Sequence, residues 1–338
     1  MDLKSVSVII PAHNRPEKLR RLLRYYLETN IHIIVTDSSA NVFPYLEEFP
    51  GLNYFHFPKA EFLFKIHRIL PLIDTKYVVY CADDDFIVPQ GIEQVISFLD
   101  SNPDYDSAQG HYLSYEVKKN RIEFYPRYIR NFEKDTNQAT ADERLKELKK
   151  LYASLLYSVV RSTTFVGMYE QCCKEDGKPL FSNLFLAEMY FNLFTLMEGK
   201  NKTLPVFYGA REKDYKSATY TTTPLSVIRS SPDYKEEYQS FFNLVVGQLV
   251  SKQSMNIEKA ENLLLEILQD PKEDPLPPFK RKLLNLLEKY GPTEIMQKFF
   301  MHQYKAKGLK NTKGMKSYPI TFSTPEKETI IRYISTFK

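Results

Sequence analysis

The sequence predicts an α/β fold: a mostly parallel sheet with helices on both faces, followed by a helical C-terminal region. Three observations predict it. Tyr77–Cys81 is β-rich and apolar on both faces, the pattern of a central strand covered from both sides. Val6–Pro11 and Ile31–Thr36 repeat that pattern. Helical periodicity falls between the apolar runs, and a β-α-β order with right-handed crossovers makes a parallel sheet.

The elements follow in order. Val6–Pro11, VSVIIP, is a buried strand stopped by proline. Asn14 reads as an N-cap, with Glu17 closing a capping box three residues on. The helix over Arg15–Thr29 puts Leu19, Leu22, Leu23, Tyr26 and Leu27 on its apolar face. Ile31–Thr36 is the second strand and ends in Asp37-Ser38-Ser39; Leu52–Phe57 is the third. A helix over Phe62–Ile73 leads to the strand Tyr77–Cys81, and Pro89 and Gly91 open a helix over Ile92–Asp100. Gln109–Tyr115 and Ile122–Tyr125 read as a strand pair, Asp142–Ser158 and Phe181–Glu198 as long helices, and Leu204–Tyr208 as a strand before the polar loop Arg211–Ser217. From about Ser231 the pattern is helical only, over Tyr234–Ser251, Ile257–Gln269, Phe279–Tyr290, Thr293–Tyr304 and Glu326–Phe337, the last capped by Thr324. The organisation expected is a sheet domain over residues 1–228 and a helical region over 229–338.

Composition narrows the class. A chain of 338 residues, 43% hydrophobic, can bury a sizeable core. Eleven glycines and twenty prolines exclude a fibrous or low-complexity protein. The charge of +4 tolerates phosphate-bearing ligands or an anionic membrane surface without requiring nucleic acid. Three cysteines, Cys81, Cys172 and Cys173, fit a reducing compartment. The start, MDLKSVSVIIP, lacks the apolar length of a signal peptide, and no run nears the roughly 18–20 residues that span a bilayer. The expectation is a soluble, cytoplasmic protein. A lysine run, Lys305, Lys307, Lys310, Lys313 and Lys316, suits peripheral contact with membrane phosphates or an anionic acceptor, or else a solvated loop. Oligomerisation stays open.

The chemistry centres on Asp83, Asp84 and Asp85, which directly follow the central strand pattern. Ligands of such sheets sit at the carboxyl ends of the strands, where Pro11, Asp37 and the three aspartates all fall. Three neighbouring carboxylates in a low-dielectric site repel one another by several kcal/mol unless compensated. Strand alternation puts Asp83 and Asp85 on one face, able to reach one hard cation such as Mg2+ or Mn2+. The plain alternative is a solvated acidic turn. G-x-G-x-x-G, P-loop, G-x-S-x-G and zinc-spaced His/Cys patterns do not occur, which argues against dinucleotide cofactors, P-loop hydrolysis, a serine hydrolase and zinc chemistry.

These residues resemble a family. VSVIIPAHNRPEKLRRLL is similar to the opening of family 2-like GT-A glycosyltransferases. IIVTDSS resembles their second strand, whose last Asp contacts the base of a nucleotide sugar. TKYVVYCADDDFIVPQGI resembles their metal-binding D-x-D stretch with its hydrophobic-Pro continuation. The three occur in order within residues 5–115, and a weaker likeness runs to about 220. LAEMYFNLFTLMEGK resembles the helix carrying the catalytic base, with Glu188 where the family's Asp stands, in an Ala187-Glu188 pair instead of Glu-Asp.

The resemblance implies a GT-A, Rossmann-like fold and an inverting, metal-dependent hexosyl transfer. The donor would be a nucleoside-diphosphate sugar, taken as a UDP-sugar, and the acceptor a hydroxyl of a glycan or lipid-linked glycan. Asp83 and Asp85 would hold Mn2+ or Mg2+, with Asp84 beside them on the donor side. Asp37 would meet the base, with Pro11 and His13 shaping its pocket. Lys65 or Arg68 would meet ribose or phosphate, Arg211 the diphosphate, and Glu188 would accept the acceptor's proton. Each has a plainer alternative: a turn for Asp37 and His13, a solvated helix face for Lys65, Arg68 and Glu188, and a surface ion pair with Asp214 for Arg211. Two other functions compete: a nucleotidyltransferase, which PAHNRPEK argues against by having no glycine, and a non-catalytic nucleotide-sugar-binding protein.

Overall fold

The computed structural model describes residues 3–118, 121–126, 135–150, 154–213, 223, 225–269 and 325–337. The chain divides into two units, Met1–Leu268 with Phe322–Lys338, and Gln269–Thr321. The expected helices Phe279–Tyr290 and Thr293–Tyr304, the cap Thr324, the lysine run and Asp214 lie outside the described residues.

Among the described residues nine strands form one sheet. Strands β1 (Val6–Ala12), β2 (His32–Asp37), β3 (Asn53–His56) and β4 (Tyr77–Tyr80) pair in parallel in the order β3-β2-β1-β4. The sheet continues through β8 (Val159–Arg161), β6 (Tyr105–Lys118), β9 (Lys200–Glu212) and β5 (Phe86–Ile87), and β7 (Arg121–Pro126) hangs antiparallel on β6. β8 runs antiparallel to both β4 and β6, while β6 and β9 run parallel.

Alternation along the central strands divides the core. Ile9, Ile34, Val78 and Tyr80 face one cluster with α2 (Phe62–His67), α4 (Ala141–Lys150), α5 (Ser162–Gln171) and α6 (Leu184–Glu198). Val8, Ile10, Val35, Tyr77 and Val79 face the other, with α1 (Pro16–Tyr26) and α3 (Pro89–Ser101). Burying each such side chain contributes about 1.5–3 kcal/mol, so the two-sided apolar strands could not be left at an edge. The α/β architecture is as expected, and among the described residues after 231 the long elements are helices.

The differences have local causes. Proline does not end β1: Pro11 pairs opposite Thr36 and the strand continues to Ala12. Asn14 does not cap α1; it sits at φ 54°, and Arg15 is the N-cap, with Pro16 opening the helix. Leu27 lies past the end of α1 and is 54% exposed. The helix expected to Ile73 ends at His67, followed by a short 3-10 turn Leu70–Leu72; Pro71 has no N–H to donate to the carbonyl four residues back, that of His67. The helix expected through Ser158 ends at Lys150. Beyond it, Leu155 N–H bonds Asn192 Oδ1 at 2.8 Å, and Val159-Val160 join the sheet as β8. Tertiary pairing there overrides helix propensity. β9 is longer than expected, and Pro205 falls where its register against β6 jumps from Gln109–Thr203 to His111–Phe207. A residue without an N–H is tolerated at such a bulge.

The later helices join the same core. Those after α6 are α7 (Leu225–Ser230), α8 (Lys235–Gln253), α9 (Ile257–Ile267) and α10 (Pro325–Thr336). Phe241 of α8 is fully buried, its ring 5.7 Å from Phe181 at 83°. Ile330 and Ile334 of α10 are buried with the α1 side, and Tyr333 meets Tyr25 edge-on at 5.6 Å. Among the described residues no helix is long and apolar enough to cross a membrane. All three cysteines are free and buried.

Candidate functional site

Three strand ends converge. Beyond Ala12 the chain turns through His13 and Asn14, and Asn14 N–H donates to Ser39 Oγ at 2.7 Å. Ser38 N–H donates to Ala12 O at 3.0 Å, tying the ends of β1 and β2 together. Lys65, 4% exposed, reaches from α2 and donates to Ala12 O at 2.9 Å and Ser38 Oγ at 3.1 Å. Burial pushes its pKa down to about 8, against the pull of Asp83 and Asp37. Lys65 thus braces the two strand ends from below.

Asp37 is buried at the tip of β2. It accepts Ser39 N–H at 2.8 Å, Ser39 Oγ–H at 2.5 Å and Tyr54 O–H at 2.8 Å. The first is the side-chain-to-backbone bond that lets aspartate form a tight turn. His13 is exposed, with Nδ1 3.1 Å from Ser38 Oγ and its backbone N–H 3.4 Å from Asp83 Oδ2. Pro11 is half-buried beneath them, and Arg68 is exposed at the C-cap of α2.

β4 ends at Tyr80, earlier than the sequence pattern, and Asp85 N–H returns to Ala82 O at 3.0 Å. Asp83 and Asp84 therefore lie in a tight turn, where strand alternation no longer sorts side chains by face. Asp83, Asp84 and Asp85 are all buried, at 0%, 5% and 3% exposure. Arg15 serves both of the first two: Nη2 stands 2.5 Å from Asp83 Oδ1, and Nη1 pairs with Asp84. Lys18 Nζ lies 3.8 Å from Asp84 and 3.2 Å from Glu212 Oε1. Arg21 Nη2 donates to Asp84 O at 3.1 Å, to Tyr115 Oη at 2.9 Å and to Glu212 Oε2 at 2.8 Å.

Asp85 turns to β9. It accepts Arg211 Nε–H at 3.1 Å and Glu212 N–H at 2.8 Å, and the Arg211 guanidinium stacks 4.1 Å over the Tyr157 ring. Gly209 makes this approach feasible: a Cβ there would lie 2.6 Å from Phe86 O.

The charges are strained by their burial. Desolvation pushes the Asp83 carboxyl up to about 6 despite Arg15. It pushes Asp84 up to about 7, aided by the like charges of Asp85 and Asp83. Burial also opposes ionisation of Glu212, but Arg21 and Lys18 outweigh it and hold that carboxyl below its usual range.

The donor set suits a hard cation. Asp83 Oδ1 is shut from solvent and, among the described residues, finds no aligned hydrogen-bond donor, although Arg15 stands against it. Among the described residues no group of three His, Cys, Asp or Glu forms a closed metal cage. One or two carboxylates completed by substrate phosphates is the usual arrangement for Mg2+.

The structure thus gathers Pro11, His13, Asp37 and Lys65 at one strand-end corner, and Asp83, Asp84, Asp85 and Arg211 beside it. Glu188 sits half-buried in the second turn of α6, whose N-cap Asn183 accepts Phe185 N–H at 2.9 Å. Arg211 pairs with Asp85 rather than standing as a loop cation. Arg15, Lys18, Arg21, Tyr115, Tyr157 and Glu212 complete the site and were not singled out from the sequence. One signal was available: Arg15, Lys18 and Arg21 recur every third residue, which puts them on one side of α1.

A mostly parallel sheet with buried carboxylates and paired cations beyond its strand ends defines a GT-A-type α/β fold. Residues 7–154 match the model of the family described as Glycosyl transferase family 2. The fold is shared with S. aureus TarS 1–349: two crystal structures, one in complex with UDP-GlcNAc, are each 14% identical to this chain. They cover 78% of it, over 70% and 71% of their own lengths, with TM-scores of 0.50 and 0.51. No curated protein matches the chain.

Proposed function

We propose that this protein is a metal-dependent, inverting glycosyltransferase that moves a hexosyl group from a UDP-sugar to a hydroxyl of a glycan or lipid-linked glycan. One observation carries the reading: on the stretch matching the family, Asp37 and the Asp83–Asp85 turn lie at the ends of the strands on either side of β1, with buried carboxylates faced by Arg15, Lys18 and Arg211. The choice of uridine follows the UDP-GlcNAc complex of the protein that shares the fold.

Asp37 receives the base at the end of β2, in a corner that Pro11, His13 and the Lys65 brace keep in shape. Asp83 and Asp85, with Asp84 beside them, would hold Mn2+ or Mg2+, which when bound offsets the charge growing on the diphosphate leaving group. Arg211, its guanidinium 4.1 Å over the Tyr157 ring, meets the same charge. Glu188 takes the proton of the attacking hydroxyl, and one base opposite the leaving group gives inversion. His13 and Asn14 are exposed beside these carboxylates, on the side from which a sugar donor would approach.

Calorimetric titration with UDP in the presence and absence of Mn2+ tests the reading, followed by a panel of UDP-sugars scored for thermal stabilisation. Metal-dependent UDP binding, and one sugar that stabilises above the others, is the expected result. Binding that ignores Mn2+ would remove the metal, and no binding of any nucleotide would remove the donor site.

A further inference from the structure

Asp83 and Asp84 share a single guanidinium. Asp83 is fully buried, yet the contact of its Oδ1 with Arg15 Nη2 at 2.5 Å is not an aligned hydrogen bond. The oxygen is neutralised but not satisfied. The backbone under Arg15 is pinned: Asn14 N–H is tied to Ser39 Oγ, Arg15 O accepts Leu19 N–H at 3.1 Å, and Pro16 fixes the first helical residue. The side chain is 30% exposed, while its two partners are 0% and 7% exposed. It can rotate outward without moving α1. Lys18 and Arg21, one and two turns further along, are anchored instead to Glu212.

We propose that Arg15 is a counter-ion latch. Without donor it closes Asp83 and Asp84; when a divalent cation enters with the donor, Arg15 yields the carboxylates and turns to the diphosphate. The inference rests on the metal-diphosphate reading of the site. Two cations cannot occupy the same buried oxygens, because their repulsion in a low-dielectric pocket is large. The released guanidinium fork suits phosphate oxygens, as it suited two carboxylates. The latch spares the empty site a bare pair of buried anions and ties metal entry to donor entry.

The inference makes opposite-sign predictions for one residue. Mn2+ alone is titrated into wild type, Arg15→Gln and Arg15→Lys by calorimetry, and UDP is then titrated at saturating Mn2+. Removing the competitor in Arg15→Gln should tighten binding of Mn2+ alone by about tenfold or more, and weaken UDP binding by about tenfold, the scale of one charge-assisted contact. Arg15→Lys should fall between the two, keeping the charge but not the fork. Should Arg15→Gln not unfold cooperatively, Arg15→Lys carries the comparison, with Mn2+ bound more tightly than by wild type. Variants that bind Mn2+ no more tightly than wild type, while UDP binding still needs Mn2+, would overturn the latch and leave the metal reading standing. No Mn2+ bound by any of the three proteins, with or without UDP, would overturn both.

Discussion

Asp83 and Asp84 are carboxyls that burial holds at about 6 and about 7, with Arg15 opposing it. The unfolded chain releases these protons near pH 3.9. The folded protein therefore binds more protons in between, and the two groups lend stability that is full at low pH and lost as pH rises through about 6 and 7. Other buried groups titrate nearby: Asp106 is raised by burial to about 7, and His111 is lowered by burial to about 4, with the opposite slope. The clean measurement is a difference. The melting temperature of wild type minus that of Asp83→Asn/Asp84→Asn should decline from pH 5 to pH 8, by on the order of 1 kcal/mol in stability; a flat difference would rule the buried titration out. Asp85 has a different duty, since it joins the turn to Arg211 and the Glu212 amide. Asp85→Ala should abolish nearly all transfer and leave circular dichroism unchanged. Glu188→Gln keeps the shape of the side chain and removes its basicity, so kcat should drop about 100-fold or more with UDP binding retained. Transfer at the wild-type rate would pass the base role to another carboxylate.

At the scale of elements, the site depends on a two-residue strand. β5 pairs Phe86 with Ala210 and Ile87 with Gly209, and that pairing sets Asp85 beside Arg211. A Cβ on Gly209 would meet Phe86 O at 2.6 Å and Tyr112 Cε1 at 2.9 Å, so a side chain there forces the strands apart. Gly209→Ala should cost about 1–3 kcal/mol by overpacking, read from urea unfolding, and should lower Arg211-dependent donor affinity as well. Normal stability with normal affinity would mean that β5 can slide without consequence. The β1–α1 turn is a second such device. Asn14 takes a left-handed φ that few residues other than glycine accept readily, and this aims Arg15 back across the strand ends.

At the scale of the molecule, the helices after α7 are part of the structure that holds the site. Phe241 of α8 is fully buried against Phe181, just before α6, the helix that carries Glu188. Ser182 Oγ and Asn183 N–H both donate to Glu237 of α8, the latter at 3.1 Å, so the start of α6 is anchored there too. Phe241→Ala should cost about 3–5 kcal/mol, and a chain ending at residue 228 should expose that face and fail to unfold as one cooperative transition. Independent, cooperative folding of residues 1–228 would make the helical region a separable domain instead. α10 closes the other side, where Arg20 lies 4.2 Å over Tyr45 and 5.9 Å from Phe337.

The sequence by itself determined the alternation of strands and helices, the burial of both faces of β1 and β4, and the location of Asp37 and Asp83–Asp85 at strand ends. Those features are local: apolar periodicity and turn residues act over a few positions and need no partner to be read. It also placed Lys65 and Arg211 among the residues of interest, though not the contacts each makes. What only the tertiary structure decided is pairing over long separations. Arg15 meets Asp84 across 69 positions, and Arg211 meets Asp85 across 126. No periodicity connects residues that far apart, because their approach is fixed by strand order and by glycine at a close contact. The same holds for β8, a three-residue strand inside a helical-looking stretch, which exists because β4 and β6 supply partners on both sides. Burial of the three carboxylates follows from that closure, and with it the raised proton affinity of Asp83 and Asp84.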